Sequence, residues 1–442
     1  MRPMLTALAL CGCTIATAVA LGLATAPALA TTVGGESASA AAPFVLADGA
    51  ILVPSAFAND PGTWIGGAAT ADVDVSVLRA AQRMTSTTLQ HATGPAGQFP
   101  ALGGPPAIAA AGDQVAVAWL SGSEIESGLL SSDRAAVTSP APFTHITGQL
   151  GSLNIAVDAR GNRAMAWSDT FGVHFDAVGP AGSLGASGVL ATATATGAIA
   201  VGRDDQGGWW VLWPAGATIL ADHISADATV HPIVTVGPTT LDDGAVAAPP
   251  GADEKHPWTL VADGSGGIRV GLARAIVAVS DAGARTLLTS ATSHVLLMAD
   301  GDRETATAQG LSGGRLAVRP LGAELGRATQ LPGAPLAIAY YEARSTIEVL
   351  AKRAHGEVYL TAIGRAGRPS RSRRLATCLH AVHAQLEAAA GVVAYACARH
   401  DTSRDSVETG GDHLSGHTDV YRLLHGGTLL AHGSLREELY GY

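Results

Sequence analysis

The sequence predicts an all-β fold, a β-propeller of about eight four-stranded blades, and a repeated hairpin pattern is the first observation behind this prediction. In its clearest copy, Ile155 to Trp167, two apolar runs flank a polar turn of sequence Asp-Ala-Arg-Gly-Asn. This is the pattern of two antiparallel strands joined by a tight hairpin, in which Gly161 or Asn162 takes positive φ. The same form recurs at Ile108 to Trp119 and at Ile199 to Trp213.

The spacing of the repeated hairpins is the second observation. Each copy closes on a tryptophan, and Trp119, Trp167 and Trp213 are 48 and 46 residues apart. A period of this size with several short strands in each period is typical of a propeller. Because the three indoles recur at one position of the repeat, we predict that they pack in the core between neighbouring blades.

The first copy begins at Pro43 and is degenerate. Its strand-like runs are Phe44 to Leu46, Ile51 to Val53, Thr63 to Ile65 and the alternating segment Val73 to Val77. Because Trp64 lies early in this copy, seven blades with an irregular N-terminal segment remain the alternative.

The next copies run from about 104 to 151, 152 to 197 and 198 to 244. Beyond them the tryptophan is lost, and a constant step of 46 residues places the equivalent strand ends near 260, 306, 352 and 398. Apolar or β-branched runs lie at these places: Trp258 to Val261, Glu304 to Ala308, Ile347 to Leu350 and Val392 to Cys397.

The cassette of strand, Asp-x-x-Gly-Asn turn, strand and tryptophan resembles the repeats of secreted bacterial β-propellers and, distantly, the NHL-type blade. The motif itself is clear only in the second to fourth copies. Families of this kind include scaffolds, ligand-binding modules, lactonases, lyases and glycosidases, so the resemblance implies the fold and little chemistry.

The N-terminus has the features of a secretory signal peptide. Arg2 precedes an apolar run from Met4 to Leu23, and Ala28-Leu29-Ala30 forms a small-x-small cleavage site. We therefore predict a signal peptide at residues 1–30, a flexible leader at 31–42, and a single propeller domain at 43–442. After signal removal no apolar run is long enough to cross a bilayer, so we expect a secreted or extracellular cell-envelope protein.

Charge and composition narrow the class of partner. The net charge is −10 and only 14% of residues are charged, so the surface has no general attraction for phosphate backbones and nucleic acid is not expected. The excess of Ala, Gly and Arg is typical of a bacterium with a GC-rich genome. We expect a monomer that contacts a protein or a carbohydrate at the cell surface.

Two cysteines remain in the mature chain, and we predict that Cys378 and Cys397 form a disulfide. An even pair in an exported protein favours a disulfide, and the spacing fits no zinc pattern.

The consecutive pair Trp209 and Trp210 is the candidate for ligand contact. Neighbouring residues of a strand face opposite ways, so we expect one of the two indoles to be exposed for carbohydrate or aromatic stacking.

No metal site and no cofactor are predicted, although two weak candidates exist. Asp300 and Asp302 are a fragment of a calcium-binding run, which keeps calcium as an alternative. His413 and His417 flank a glycine-rich loop and resemble a surface transition-metal site. The simpler interpretation is that Asp and Gly are required by turns and that the histidines are solvated.

No catalytic motif is present: the sequence has neither a Gly-x-Ser-x-Gly elbow nor a sialidase-type Asp box. The leading hypothesis is therefore a non-enzymatic binding or scaffold module for a protein or glycan at the cell envelope. The alternative is a glycosidase or lyase of propeller type with its site in the axial funnel.

Overall fold

The computed structural model describes most of the chain between residues 35 and 440. The described ranges are 35–40, 44–46, 50–60, 69–79, 85–94, 106–141, 144–146, 150–241, 258–289, 296–299, 305–321, 326–341, 346–364, 366–377, 380–387, 392–401, 414–425 and 428–440. Within these ranges the chain forms eight antiparallel sheets, which confirms the predicted all-β propeller.

Each sheet is built from one continuous stretch of the chain, and the first two sheets have five strands. Sheet one contains β1 (Gly35–Ala40), β2 (Phe44–Val45), β3 (Ile51–Asp60), β4 (Ala69–Leu78) and β5 (Thr85–Gly94). Sheet two contains β6 (Ala107–Ala111), β7 (Gln114–Ser121), β8 (Glu124–Leu130), β9 (Val137–Thr138) and β10 (Thr144–His145). In sheet one β1 and β2 share the first-strand position, because both pair with β3.

The other six sheets have four strands each, paired in chain order. Sheet three is β11 (Ser152–Val157), β12 (Arg163–Asp169), β13 (Gly172–Val178) and β14 (Leu184–Ala191). Sheet four is β15 (Ala200–Arg203), β16 (Trp209–Ala215), β17 (Thr218–Ile224) and β18 (Val234–Pro238). Sheet five is β19 (Thr259–Ala262), β20 (Ile268–Gly271), β21 (Ala275–Ser280) and β22 (Gly283–Thr289).

The last three sheets repeat this plan. Sheet six is β23 (Leu296–Ala299), β24 (Thr305–Leu311), β25 (Arg315–Leu321) and β26 (Thr329–Pro332). Sheet seven is β27 (Ala334–Tyr341), β28 (Thr346–Lys352), β29 (Glu357–Gly364) and β30 (Arg373–Thr377). Sheet eight is β31 (His380–Glu387), β32 (Val392–Asp401), β33 (Leu414–His425) and β34 (Thr428–Tyr440).

The sheets are arranged as a closed ring. From sheet two onward, the first strand of each sheet contacts the first strand of the next, from β6 through β11, β15, β19, β23 and β27 to β31. The ring closes where β2 contacts β31 and β1 contacts β34. The contacts between first strands, with β2 as the member from sheet one, place these strands innermost, whereas β1 lies against β34, the last strand of sheet eight.

The third hairpin has the predicted geometry. Strands β11 and β12 are antiparallel with Val157 opposite Arg163, and Gly161 has φ of +85°. An L side chain rarely adopts this backbone conformation, which explains why glycine stands in the turn.

The three periodic tryptophans pack between neighbouring sheets, as predicted. Trp119 lies among buried residues of sheet one, Trp167 among those of sheet two, and Trp213 among those of sheet three. Each indole therefore covers the face of the preceding sheet, and all three are buried. The regular spacing along the chain reflects one packing position repeated around the ring.

Two sequence expectations are wrong in detail. Trp258 to Val261 was expected to be equivalent to the tryptophan-bearing second strands, but residues 259–262 form β19, the first strand of sheet five. The second strand of that sheet, β20, ends at Gly271, which is 56 residues beyond the end of β16 at Ala215. A longer connection between sheets four and five breaks the constant step without altering either sheet.

The other correction concerns the leader. Residues 31–42 were expected to be flexible throughout, whereas Gly35–Ala40 pairs in register with Ser55–Asp60 of β3. A run of small residues is compatible with a strand when a partner strand supplies the hydrogen bonds.

In the described part of the chain, no helix is long and apolar enough to span a membrane.

Candidate functional site

The candidate site lies on one face of the ring, which we call the turn face. In a four-stranded antiparallel sheet, the turn after the first strand and the turn after the third strand lie at the same end. In sheet three these turns are residues 158–162 and 179–183, and in sheet four they are 204–208 and 225–229. The turn face therefore collects the polar hairpins that recur along the sequence.

Aspartates fix the backbone of these turns in three successive sheets. Asp158 Oδ1 accepts hydrogen bonds from the backbone N–H groups of residues 160 and 162, at 2.8 and 2.9 Å. Asp204 does the same for residues 206 and 208, and Asp263 for residues 265 and 267. These three aspartates therefore act as turn residues. Each carboxylate also keeps a second oxygen for another partner.

A polar groove of about 690 Å³ lies between sheets three and four on the turn face. Its walls come from both sheets and from four turns. The charged and polar residues that line it are Asp158, Arg160, Asn162, Arg163, Ser183, Arg203, Asp205, Gln206, Ser225 and Asp227.

In the groove, backbone N–H groups hold the carboxylates of Asp158 and Asp205, whereas the guanidinium groups of Arg160 and Arg203 are accessible to a ligand. The carboxylate of Asp158 is buried, and Asp205 Oδ1 accepts a hydrogen bond from the backbone of Gly266. Arg203 is 37% exposed and its Nη2 lies 3.6 Å from Asp158 Oδ2. Arg160 is exposed in the turn itself. The groove therefore offers donors and acceptors from two sheets to a polar or charged ligand.

A stack of three rings stands beside the groove, between sheets four and five. The rings of Trp210 and His223 are parallel within 2°, with centroids 4.6 Å apart. The ring of His231 stacks on the other face of His223, with centroids 4.7 Å apart and a 25° tilt. The backbone N–H of His231 donates to the carbonyl oxygen of His223 at 2.8 Å, which fixes the spacing of the two histidines.

Two carboxylates hold the histidines of this stack. His223 Nε2 lies 2.9 Å from Asp204 Oδ2, and His223 Nδ1 lies 2.8 Å from Asp281 Oδ1. His231 Nδ1 lies 3.3 Å from Asp281 Oδ2. Among the residues that the structure describes, His223, His231 and Asp281 are the group that could hold a metal ion, with one ligand atom of each within 4.8 Å of the others.

Ser225, His231 and Asp281 have the connectivity of a hydrolytic triad but not its hydrogen bonding. Ser225 Oγ lies 3.3 Å from His231 Nε2. However, the hydroxyl donates to Asp227 Oδ1 at 2.7 Å, so Ser225 Oγ is an acceptor toward the histidine. A nucleophilic serine has to donate its proton to the histidine, and this serine directs it elsewhere. The hydrogen bonding of Ser225 therefore does not match that of a nucleophilic serine.

Two buried aspartates in neighbouring sheets have raised pKa values. Burial raises the pKa of Asp222, on β17, to about 6. Burial also raises the pKa of Asp176 on β13, although its hydrogen bond from Thr144 Oγ1 opposes the shift. Neither aspartate is among the residues that line the groove.

The predicted candidates Trp209 and Trp210 face opposite ways, but neither is exposed. Trp209 packs with the residues between sheets three and four, and Trp210 with those between sheets four and five. Their exposed fractions are 6% and 0%, so the expectation of one free indole is wrong. Trp209 does line the groove, but burial leaves no open ring face for stacking. Both faces of sheet four are covered, one by sheet three and the other by sheet five.

The other predicted site residues lie largely outside the described part of the chain. Asp300, Asp302, His413 and Cys378 are outside it, while His417 and Cys397 lie in strands β33 and β32. The Cys378–Cys397 disulfide and the absence of a metal at these positions therefore stay predictions.

Sequence reasoning missed the histidine stack, Asp281, and the contact of Asp204 with His223. His223 and His231 are close in sequence on either side of a turn, which is a usable signal for one shared surface. Asp281, however, is 58 residues beyond His223. Only the ring arrangement brings the turn after β21 against the end of β17.

No protein-family model matches the chain, and no curated protein sequence matches it. Solved structures match over most of its length at low identity. A chain of a mitotic checkpoint complex is 9% identical with a TM-score of 0.43, and the match covers 66% of this chain and 83% of that chain. The WD40 domain of SCAP from fission yeast is 10% identical with a TM-score of 0.37, and the match covers 75% of this chain and 85% of that domain. A prolyl endopeptidase chain is 11% identical with a TM-score of 0.41, and the match covers 87% of this chain and 54% of that chain.

Proposed function

We propose that this protein is an exported binding module that uses the groove between sheets three and four to hold a protein partner at the cell envelope. The observation that supports the proposal most is the groove itself. It is large, it is formed by two sheets, and it presents guanidinium, carboxylate and amide groups on a rigid scaffold. Arginine at such a surface is typical of protein interfaces.

The chemistry of the groove supports binding more than turnover. Its turn carboxylates are held by backbone N–H groups, and Ser225 directs its hydroxyl to Asp227 rather than to His231. A glycan remains the second candidate ligand, because sugars are also bound by planar polar side chains. A protein is favoured, since Trp209 is buried and the groove lacks the exposed ring on which sugars stack.

Charge changes in the groove test the proposal. Arg160→Glu together with Arg203→Gln removes two donors of the groove while leaving the turn aspartates in place. The matched control is Arg285→Glu, which changes an exposed arginine on the outer strand of sheet five. Immobilised mature chains of the three forms are exposed to detergent-solubilised envelope proteins and to an array of cell-wall glycans, after thermal unfolding confirms that each form is folded.

We expect to find an envelope protein that binds the wild type and Arg285→Glu but does not bind the groove variant, Arg160→Glu with Arg203→Gln. Purification of that protein and titration against the wild type then give a one-to-one complex that the groove variant weakens at least tenfold. A glycan with the same dependence would replace the protein as the ligand. Equal binding of all partners to all three forms would overturn the proposal.

A further inference from the structure

We propose that His223, His231 and Asp281 form a transition-metal site, with zinc as the expected ion. The Nδ1 atoms of both histidines converge on the carboxylate of Asp281, at 2.8 and 3.3 Å. Zinc binds histidine nitrogen and carboxylate oxygen at about 2.0–2.2 Å, which at a tetrahedral angle separates the two ligand atoms by about 3.3 Å. One ligand atom from each of the three residues lies within 4.8 Å of the other two, so a modest contraction would bring the three atoms to the separations that a bound ion requires.

The outer nitrogens of the two rings are held by separate acceptors. His223 Nε2 donates to Asp204 Oδ2 at 2.9 Å, and Asp204 is buried. His231 Nε2 donates to Ser225 Oγ, because the serine hydroxyl gives its own hydrogen to Asp227. Carboxylate or hydroxyl partners on the distal nitrogen are the usual support of metal-binding histidines.

The hydrogen bonds of the two Nε2 atoms determine whether each Nδ1 atom carries a hydrogen or a lone pair. When each neutral imidazole carries its hydrogen on Nε2, both Nδ1 lone pairs point toward the carboxylate of Asp281. Three electron-rich groups then meet at one point, which is stable only with a cation between them. Protons can supply that charge, and so can a divalent ion. Nitrogen ligands select a transition metal over calcium or magnesium.

The surroundings allow an ion to enter and leave room for a further ligand. Asp281 and His231 have side chains that are 45% and 29% exposed, whereas His223 is covered by Trp210. His231 is partly exposed and stacks on His223, so binding of an ion requires its ring to tilt away from the stacked position. Because Asp281 belongs to sheet five and both histidines to sheet four, a bound ion would link two sheets and leave an open position for water.

Zinc titration of the purified mature chain tests the site. We expect one zinc ion per chain in competition with a chromophoric chelator, and an increase in the thermal unfolding midpoint on binding. Cobalt(II) in place of zinc is expected to give the visible absorption of a four-coordinate ion. His231→Ala changes a partly exposed residue and Asp281→Asn an exposed one, and each is expected to weaken zinc binding at least tenfold.

A substitution at Asp204 tests the positioning role of the buried carboxylate. In Asp204→Asn the amide oxygen still accepts the backbone bonds of the turn, so the amide N–H₂ faces His223 Nε2. That nitrogen must then accept, which moves the histidine hydrogen to Nδ1 and blocks coordination. We expect a loss of zinc affinity of about 10–100-fold, the range found for such supporting groups.

The matched control is Asp263→Asn, which makes the same change in the equivalent turn of sheet five without a histidine partner. It is expected to bind zinc as the wild type does. The proposal would be overturned if the wild type bound no stoichiometric zinc, or if His231→Ala, Asp281→Asn and Asp204→Asn all bound zinc as tightly as the wild type.

Discussion

Asp222 and His223 are consecutive on β17, and their side chains point to opposite faces of sheet four. His223 contacts Asp281 of sheet five, and the alternation of a strand turns Asp222 toward sheet three. Asp222 is almost completely buried, and its Oδ1 has no hydrogen-bond partner. Desolvation is the main cause of its raised pKa of about 6. One step along the strand therefore separates a paired histidine from a carboxylate that burial disfavours.

The raised pKa of Asp222 predicts the pH dependence of stability for one substitution. Between the ordinary pKa of 3.8 and about 6, the folded state keeps a proton that the unfolded state has lost. This group therefore makes the free energy of unfolding fall as pH rises through that window, and the loss persists above it. Complete ionisation in the folded state costs about 3 kcal/mol, as an order of magnitude.

We expect Asp222→Asn to stabilise the protein by about 1–3 kcal/mol at pH 8 and to have little effect at pH 4. Urea unfolding of both forms at several pH values measures this difference, and other titrating groups cancel in the comparison. Asp176→Asn is the control, and a smaller effect is expected because Asp176 has a hydrogen bond from Thr144. A difference between the wild type and Asp222→Asn that did not change with pH would contradict the interpretation.

Removal of a periodic tryptophan is expected to be severely destabilising. Trp213 is completely buried among residues of sheets three and four. Trp213→Ala should lower the free energy of unfolding by about 3–5 kcal/mol through lost transfer energy and the cavity that remains. Phe171→Ala is the control on an exposed aromatic, for which a change within about 0.5 kcal/mol is expected. Comparable losses for the two variants in urea unfolding would argue against the packing role.

The turn aspartates predict a difference between two substitutions at one position. Asp158→Ala removes the acceptor for two backbone N–H groups and for Asn162 Nδ2, and should cost about 1–3 kcal/mol. Asp158→Asn keeps one oxygen for the backbone and should cost less. Thermal unfolding of both variants measures the order, and an equal loss would show that charge rather than turn geometry is what matters.

The cysteine pair predicts a covalent link that peptide mapping can detect. Mass spectrometry of the mature chain, digested without reduction, is expected to show one peptide that joins Cys378 to Cys397. The bond should stabilise by roughly 3 kcal/mol on the chain-entropy model, so Cys397→Ser should lower the unfolding midpoint. Two free thiols in the unreduced protein would show that the prediction is wrong.

Most of the fold could be predicted from local patterns in the sequence. The Asp-x-x-Gly turn and the strand alternation depend on residues a few positions apart, so the hairpin around Gly161 could be predicted in detail. The periodic tryptophans added long-range order, because one packing position repeats in each sheet. Sheet five was misplaced because the length of a connection is not constrained by the packing of the sheets it joins.

The candidate site was much less predictable. Exposure of Trp209 or Trp210 depends on what the neighbouring sheets cover, which no local pattern reveals. His223 acquires its chemistry from Asp204 and Asp281, which belong to different sheets and different repeats. The packing of sheet five against sheet four brings Asp281 to His223, and sequence spacing alone does not encode which residues of neighbouring sheets meet.

The ring closure described above involves contacts between sheets but, among the described strands, no backbone ladder shared by the first and eighth sheets. Among the described strands, every ladder joins strands that come from one continuous stretch of sequence. Circular permutation at a connection between two sheets would therefore break none of the described strand pairs. A library of such circular permutants would keep the same architecture and differ only in where the seam falls.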